Sequence, residues 1–277
     1  MAEDKVAVVT GASRGAGAGI ARALGAKGFT VYVTGRTTGA GQNALPGTIN
    51  ETAAAITAAG GKGVPVKVDH ADDDSIKALF DRIAAESGRL DVLVNNVAAI
   101  DDFLIDPGVF WERPLGLANI LNVGLRSHYV ASYYAAPLLV KQKRGLVAFG
   151  SSFGAVCYMH GPAYGAQKAG IDKMAADMAI DFEGTGVAAV SIWMGPLRTE
   201  RSLRSLQQRP DQYEGFMEQA ETPEFTGNLI AAIHADPDMM ALTGQTLVGA
   251  ELAHRYGLKD EGGKQPPSYR DMLGAPL

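Results

Sequence analysis

The sequence predicts an α/β fold: a single domain on a doubly wound parallel sheet of about seven strands, with helices on both faces. Three observations carry this expectation. Short β-branched runs alternate with longer alanine-rich segments of helical periodicity. Most of the short runs are apolar throughout, as strands are when helices cover both sides of a parallel sheet. No repeat, low-complexity tract or linker divides the 277 residues.

The elements follow in order. Strands are expected at 5–10, 30–34, 63–68, 90–95, 145–150 and 187–193, with a last short one at 245–248. Helices are expected near 17–27, 49–59, 73–87, 115–143 and 163–183, with Asp72 or Asp73 capping the third. Thr222-Pro223-Glu224 places an N-cap before a proline at the first helical position, so a further helix begins there. Residues 196–223 are long and polar, with Arg198, Arg201, Arg204 and Arg209, and read as a substrate loop: a mobile lid or a solvated connector. Residues 253–277, with Gly262-Gly263 and Pro266-Pro267, read as an extended C-terminal arm.

Bulk properties narrow the function. A net charge of −5 with no basic run argues against nucleic acid and anionic membrane surfaces as partners. Cys157 is the single cysteine, which rules out an intrachain disulfide and a thiolate zinc site. His70, Asp72, Asp73 and Asp74 cluster but cannot all face one ion, and they read as an acidic capping turn; no metal is expected. The acidic start Met1-Ala2-Glu3-Asp4-Lys5 is no signal peptide, and the apolar stretches fall short of a membrane span, so the expected location is cytoplasmic.

Chemistry first appears at the turn after the first strand, Thr10-Gly11-Ala12-Ser13-Arg14-Gly15-Ala16-Gly17. Gly11 permits a tight turn, while Gly15 and Gly17 let the backbone approach a pyrophosphate at a helix N-terminus. In a Rossmann-type sheet this is a dinucleotide site, with Gly11, Ser13, Arg14, Gly15, Ala16 and Gly17 as candidate contacts. The second strand ends Val33-Thr34-Gly35-Arg36, with glycine where an NAD site places an acid. Arg36 and Arg14 suit a 2′-phosphate, so NADP(H) is the preferred cofactor, with NAD(H) left open.

Tyr164-Gly165-Ala166-Gln167-Lys168 places a phenol and an ammonium on one helix face at i, i+4 spacing. A neighbouring cation favours the phenolate and brings a tyrosine toward the working pH range. Ser151 stands thirteen positions upstream at the end of the fifth expected strand, and a hydroxyl there can meet a substrate oxygen as charge develops on it.

The spacing of the glycine turn and the Ser151, Tyr164 and Lys168 pattern resemble the short-chain dehydrogenase/reductase family. The resemblance spans about residues 5–252, with five motifs in order. It implies Ser151 rather than Ser152 as the catalytic serine, because a glycine follows three residues later. It further implies Asn122 as a fourth catalytic residue holding a water linked to the lysine. Asp69, with His70 beside it, is implied as the adenine contact, and Asn96, Leu197 and Thr199 as further cofactor contacts, Thr199 at the nicotinamide carboxamide. Two departures stand out: Val97-Ala98 replaces Ala-Gly, and Met194 replaces a proline before Gly195. Thr34-Gly35-Arg36, Phe110-Trp111-Glu112 and Asn122-Val123-Gly124-Leu125-Arg126 resemble a subgroup associated with NADPH-dependent reduction of ketones, including steroid and other cyclic carbonyls. The family implies a small-molecule carbonyl or secondary-alcohol substrate and a homodimer or homotetramer, for which Tyr129, Tyr133 and Tyr134 offer a surface.

Two other functions fit parts of the sequence. Gly150-Ser151-Ser152-Phe153-Gly154 matches the G-x-S-x-G elbow of serine hydrolases, with Ser152 as nucleophile and Asp211 or Asp236 and His254 as partners. That elbow requires a helix directly after the serine. The other is a dinucleotide-binding protein without catalysis.

Overall fold

The computed structural model describes residues 5–276, so the acidic start at residues 1–4 lies outside the described residues. Strands β1 (Val6–Val9), β2 (Thr30–Gly35), β3 (Lys62–Lys67), β4 (Val92–Asn95), β5 (Gly145–Ser151), β6 (Val187–Trp193) and β7 (Thr246–Val248) form one sheet. Its order is β3-β2-β1-β4-β5-β6-β7, and every pairing is parallel. The chain winds outward from β1 to β3, then crosses back to β4. The reversal leaves a crevice beyond the carboxyl ends of β1 and β4, where such sheets take their ligands.

Alternation along each strand explains why both faces are apolar. Ala7 and Val9 point into one core with Ile20 and Leu24 of α1 (Gly15–Ala26), Ile49 and Ile56 of α2 (Ile49–Ala58), and Phe225 and Leu229 further along. Val6 and Val8 point into the other, with Ile76, Leu79 and Ile83 of α3 (Asp73–Glu86) and residues from the two following long helices. Thr48 caps α2 by accepting from the Glu51 amide, and Asp72, of the two candidates, caps α3 through the Asp74 amide.

The helix expected over 115–143 is broken. A single turn α4 (Asn119–Leu121) leads into a π-type turn at Asn122–Arg126, and α5 (Ser127–Lys141) begins after it. Gly124 takes φ 142°, a conformation open to glycine, which is why the break falls there. The freed groups find new partners: the Val123 carbonyl accepts from the Ala99 amide at 2.7 Å and the Gly124 carbonyl from Gln167 Nε2 at 3.0 Å. Helix α6 (Pro162–Asp181) carries the tyrosine–lysine pair along the sheet.

Residues 196–223 are not a loop. They carry α7 (Glu200–Gln208), started by a Thr199–Ser202 capping box, and α8 (Pro210–Glu218), started by its proline. Both signals stand in the sequence, but polar composition masked them. Backbone hydrogen bonds from Glu221 N to Pro196 O and from Arg198 N to Glu221 O, both 2.8 Å, close the base of this lobe. Helix α9 (Pro223–Ala235) starts where expected, although Thr222 gives its hydroxyl to Asp260 rather than to the helix.

The arm begins later than residue 253, because Ala253 is a core residue of α10 (Gly249–Tyr256), which ends at the left-handed Gly257. Beyond it the chain makes a 3-10 turn at Glu261–Gly263 and then runs extended to the single turn α11 (Arg270–Leu273), and Tyr269 and Leu273 pack against Phe153, Trp193 and Val248. Among the described residues no helix is long and apolar enough to cross a membrane.

Candidate active site

The glycine turn is built to let groups come close. A side chain at Gly11, whose φ is 67°, would meet the Val97 backbone at 2.7 Å. One at Gly17 would meet the Gly11 carbonyl oxygen at 2.3 Å. Thr10 and Asn96 hold the turn. The Thr10 hydroxyl accepts from the Asn96 and Val97 amides, and the Asn96 side chain donates to the Thr10 carbonyl at 2.9 Å. Asn96 therefore shapes the cradle with its side chain rather than facing a ligand with it.

The start of α1 is suited to an anion, and a carboxylate stands in for one: the Gly15 amide donates to Glu200 Oε2 at 2.8 Å. Ser13 and Ala16 border the same turn. Arg14 extends away from it, donating to the Pro46 and Gly47 carbonyls at 2.9 and 2.7 Å and to Thr37 at 3.2 Å. Arg36 is exposed at the end of β2. Arg14, through Thr37, and Arg36 thus both stand beside the end of β2, and the donors of this turn fit a nicotinamide dinucleotide.

Asp69 sits at the crevice edge, its carboxylate accepting from the Ala71 amide at 3.0 Å. His70 does not line the crevice. Its ring is buried under β2, 2.8 Å from the Thr34 hydroxyl, and burial pushes its pKa down to about 4. Adjacent positions at a strand end point to opposite sides, which separates the two. Leu197 pairs with Glu221, and Thr199 caps α7, with its methyl facing Gly15.

At the end of β5 the structure departs from the expected serine. Ser151 is fully buried, its hydroxyl 3.5 Å from the Lys168 carbonyl. Ser152 faces the crevice, and its Oγ lies 2.9 Å from Tyr164 Oη. Strand alternation turns one serine into the core and the next outward, and spacing alone did not register that. Tyr164 is flanked by the His160 ring, edge-to-face at 5.0 Å between centroids. His160 adopts φ 59°, and Arg113 holds its carbonyl at 3.3 Å. No sequence motif marked His160.

Lys168 Nζ lies 5.5 Å from the centre of the Tyr164 ring and donates to the Gly150 carbonyl at 3.1 Å. Burial pushes the lysine down to about 8, opposed by Asp172. The phenol is not lowered by its neighbour as expected. Burial raises it, and the Ser152 hydrogen bond only partly offsets that. Asn122 lies half-buried at the unwound turn ahead of α5.

The hydrolase alternative finds no triad around Ser152 among the described residues. A short 3-10 turn, Phe153–Ala155, follows Ser152, whose hydroxyl meets Tyr164 and the Gly154 amide. Asp236 is engaged by the Tyr256 hydroxyl at 2.8 Å, and His254 is exposed on α10.

Comparisons with known proteins give the family. The short chain dehydrogenase family model matches residues 5–210. The chain belongs to the short-chain dehydrogenase/reductase family, and is accordingly an oxidoreductase that acts on CH–OH or C=O groups of small molecules with a nicotinamide dinucleotide. Within it, the chain is 39% identical to Dehydrogenase/reductase SDR family member 1 of Homo sapiens, over 97% of this chain and 87% of that protein. It is 30% identical to Cis-4-hydroxycyclohexanecarboxylate dehydrogenase of Sinomonas cyclohexanicum, over 69% of this chain and 73% of that one. A crystal structure of a short-chain type dehydrogenase/reductase from Mycobacterium marinum shares the fold with a TM-score of 0.72 at 21% identity, covering 88% of this chain and 93% of that one.

Proposed function

We propose that the chain is a cytoplasmic, NADP(H)-preferring enzyme that interconverts a ketone and a secondary alcohol, with Tyr164 as the acid–base group. The observation that carries this is the 2.9 Å contact between Ser152 and Tyr164, with Lys168 buried behind the phenol.

Gly11, Ser13, Gly15, Ala16 and Gly17 would hold a pyrophosphate at the start of α1, and Arg14 and Arg36 a 2′-phosphate. Asp69 would meet the adenine, Tyr164 and Lys168 the nicotinamide ribose, and Leu197 and Thr199 the carboxamide. Bound there, the reduced nicotinamide supplies a hydride to the carbonyl carbon. Ser152 donates a hydrogen bond to the carbonyl oxygen, where negative charge grows. Burial keeps Tyr164 protonated, so it is ready to give its proton to that oxygen. Lys168 stabilises the phenolate left behind, and Asn122 connects the lysine to solvent through water. Oxidation of the alcohol runs each step backwards.

The relative acting on a cyclic hydroxy acid supports a cyclic ketone as substrate. Exposed Tyr129 and Tyr133 on α5 support a homo-oligomer formed on that face, which light scattering checks.

The deciding experiment is a panel of 4-oxocyclohexanecarboxylate, cyclohexanone and a steroid ketone, assayed with NADPH and NADH on wild type and Tyr164→Phe. The expected result is NADPH-dependent turnover abolished by Tyr164→Phe with cofactor binding intact. Turnover that persists in the variant overturns the acid–base assignment; equal use of NADH overturns the cofactor preference.

A further inference from the structure

Asp172 lies one helical turn beyond Lys168 on α6, at the same spacing that separates Lys168 from Tyr164. The three side chains therefore form one stripe on the face turned toward the sheet. The carboxylate is tied to the carboxyl end of β6. One oxygen accepts from the Ser191 hydroxyl, and the other from Trp193 Nε1 at 2.7 Å. The Ser151 hydroxyl, directed at the Lys168 carbonyl, also helps to hold down the Asp172 pKa that burial raises, which gives that buried serine a role away from substrate. Trp193 packs against Phe153 in a tilted ring contact, 4.9 Å between centroids, and Phe153 directly follows Ser152. The residue thus connects the ammonium behind the tyrosine with the turn that carries the hydroxyl in front of it.

Lys168 needs such a partner. It is buried, and a lone carbonyl is a weak counterpart for an ammonium withdrawn from water. The titratable groups facing it are Tyr164 and Asp172 on its own helix, His128 on α5 and His160 on the loop before α6. Burial holds both histidines below their ordinary range, and an imidazole, neutral or protonated, carries no negative charge. Asp172 is the group here that does.

We propose that Asp172 is a positioning residue of the proton-transfer site: its carboxylate supplies the fixed negative charge that keeps Lys168 protonated, and it fixes Trp193, and through it Phe153, beside Ser152. The role rests on the proposed Tyr164–Lys168 chemistry and adds a residue to it.

The test compares pH profiles of kcat/KM for reduction of the fastest ketone in the panel, using Asp172→Asn, Asp172→Ser and Ser191→Ala. Without the charge, Lys168 loses its proton earlier, and the alkaline limb moves to lower pH by about 0.5–1 unit in the two uncharged variants, Asp172→Asn and Asp172→Ser. Ser191→Ala removes a hydrogen bond but leaves the charge, so its limb stays in place; Asp172→Glu restores the wild-type limb. An unmoved limb in both Asp172 variants overturns the proposal. A Ser191→Ala limb that moves as far does the same, and so does failure of both Asp172 variants to fold, which would leave a purely structural role. Turnover retained by Tyr164→Phe would instead overturn the chemistry beneath it. Turnover lost in Tyr164→Phe with unmoved Asp172 limbs removes Asp172 alone.

Discussion

Ser152 Oγ lies 2.9 Å from Tyr164 Oη, while Ser151, one residue earlier, is sealed against α6 with its hydroxyl 3.5 Å from the Lys168 carbonyl. Two neighbouring hydroxyls therefore have opposite prospects. Ser152→Ala should lower kcat/KM for ketone reduction about 100-fold, the loss typical of a donor to a developing oxyanion. Ser151→Ala should change it by less than about 5-fold, an indirect effect through a hydrogen bond rather than at the reacting oxygen. Steady-state kinetics on the two variants decides between them, and the reverse ranking would return the role to Ser151.

The raised Tyr164 gives the two reaction directions opposite pH dependence. Its proton is needed for reduction and must be absent for oxidation. Burial keeps the phenol protonated through neutral pH, so reduction should hold steady there and decline as Lys168 loses its proton around pH 8. Oxidation should rise continuously into the alkaline range. Initial rates in both directions between pH 6 and about 10 check this, and an oxidation rate that is flat across neutral pH would refute it.

Burying Lys168 should cost stability. Its pKa falls from the ordinary 10.5 to about 8 on folding, so between those values the unfolded chain binds more protons. Stability from this group therefore rises with pH across that window, and the full cost is present below about pH 8. Lys168→Met should raise stability by on the order of 1–3 kcal/mol at pH 7 while abolishing turnover. The gain should shrink toward pH 10, as thermal melts at the two pH values would reveal.

The Glu200 carboxylate takes the Gly15 amide that a pyrophosphate would use, and its charge also faces Arg14. Neutralising it should therefore favour the cofactor. Glu200→Gln is expected to tighten NADPH binding by about 2–5-fold, the scale of a charge at a helix N-terminus. Fluorescence titration without substrate measures this. Weaker binding would mean that Glu200 orders the turn instead of competing for it.

Arg36 is exposed at the end of β2, while Arg14 is already held by two carbonyls and a hydroxyl. Arg36→Ala should raise KM for NADPH by about 10-fold or more and leave KM for NADH nearly unchanged, because only the former carries a 2′-phosphate for a guanidinium to hold. A similar rise for both cofactors would place Arg36 outside the 2′-phosphate site.

The residue pattern made legible the seven parallel strands, the glycine turn at the first crossover and the tyrosine–lysine stripe, because each depends on local periodicity or on spacing within one element. It missed α7 and α8 because a polar, arginine-rich segment hides its caps, and it ran a helix through Asn122–Arg126 because the break depends on partners such as Ala99 and Gln167. Tertiary structure alone decided which of two adjacent serines faces Tyr164, and that His70 turns inward to Thr34. It also brought Glu200 onto Gly15, and Asp172 onto Ser191 and Trp193. The physical reason is common to these cases. A side chain's direction at a strand end, and the partner that a distant helix brings to it, are set by packing across the sheet, which no spacing along the chain records.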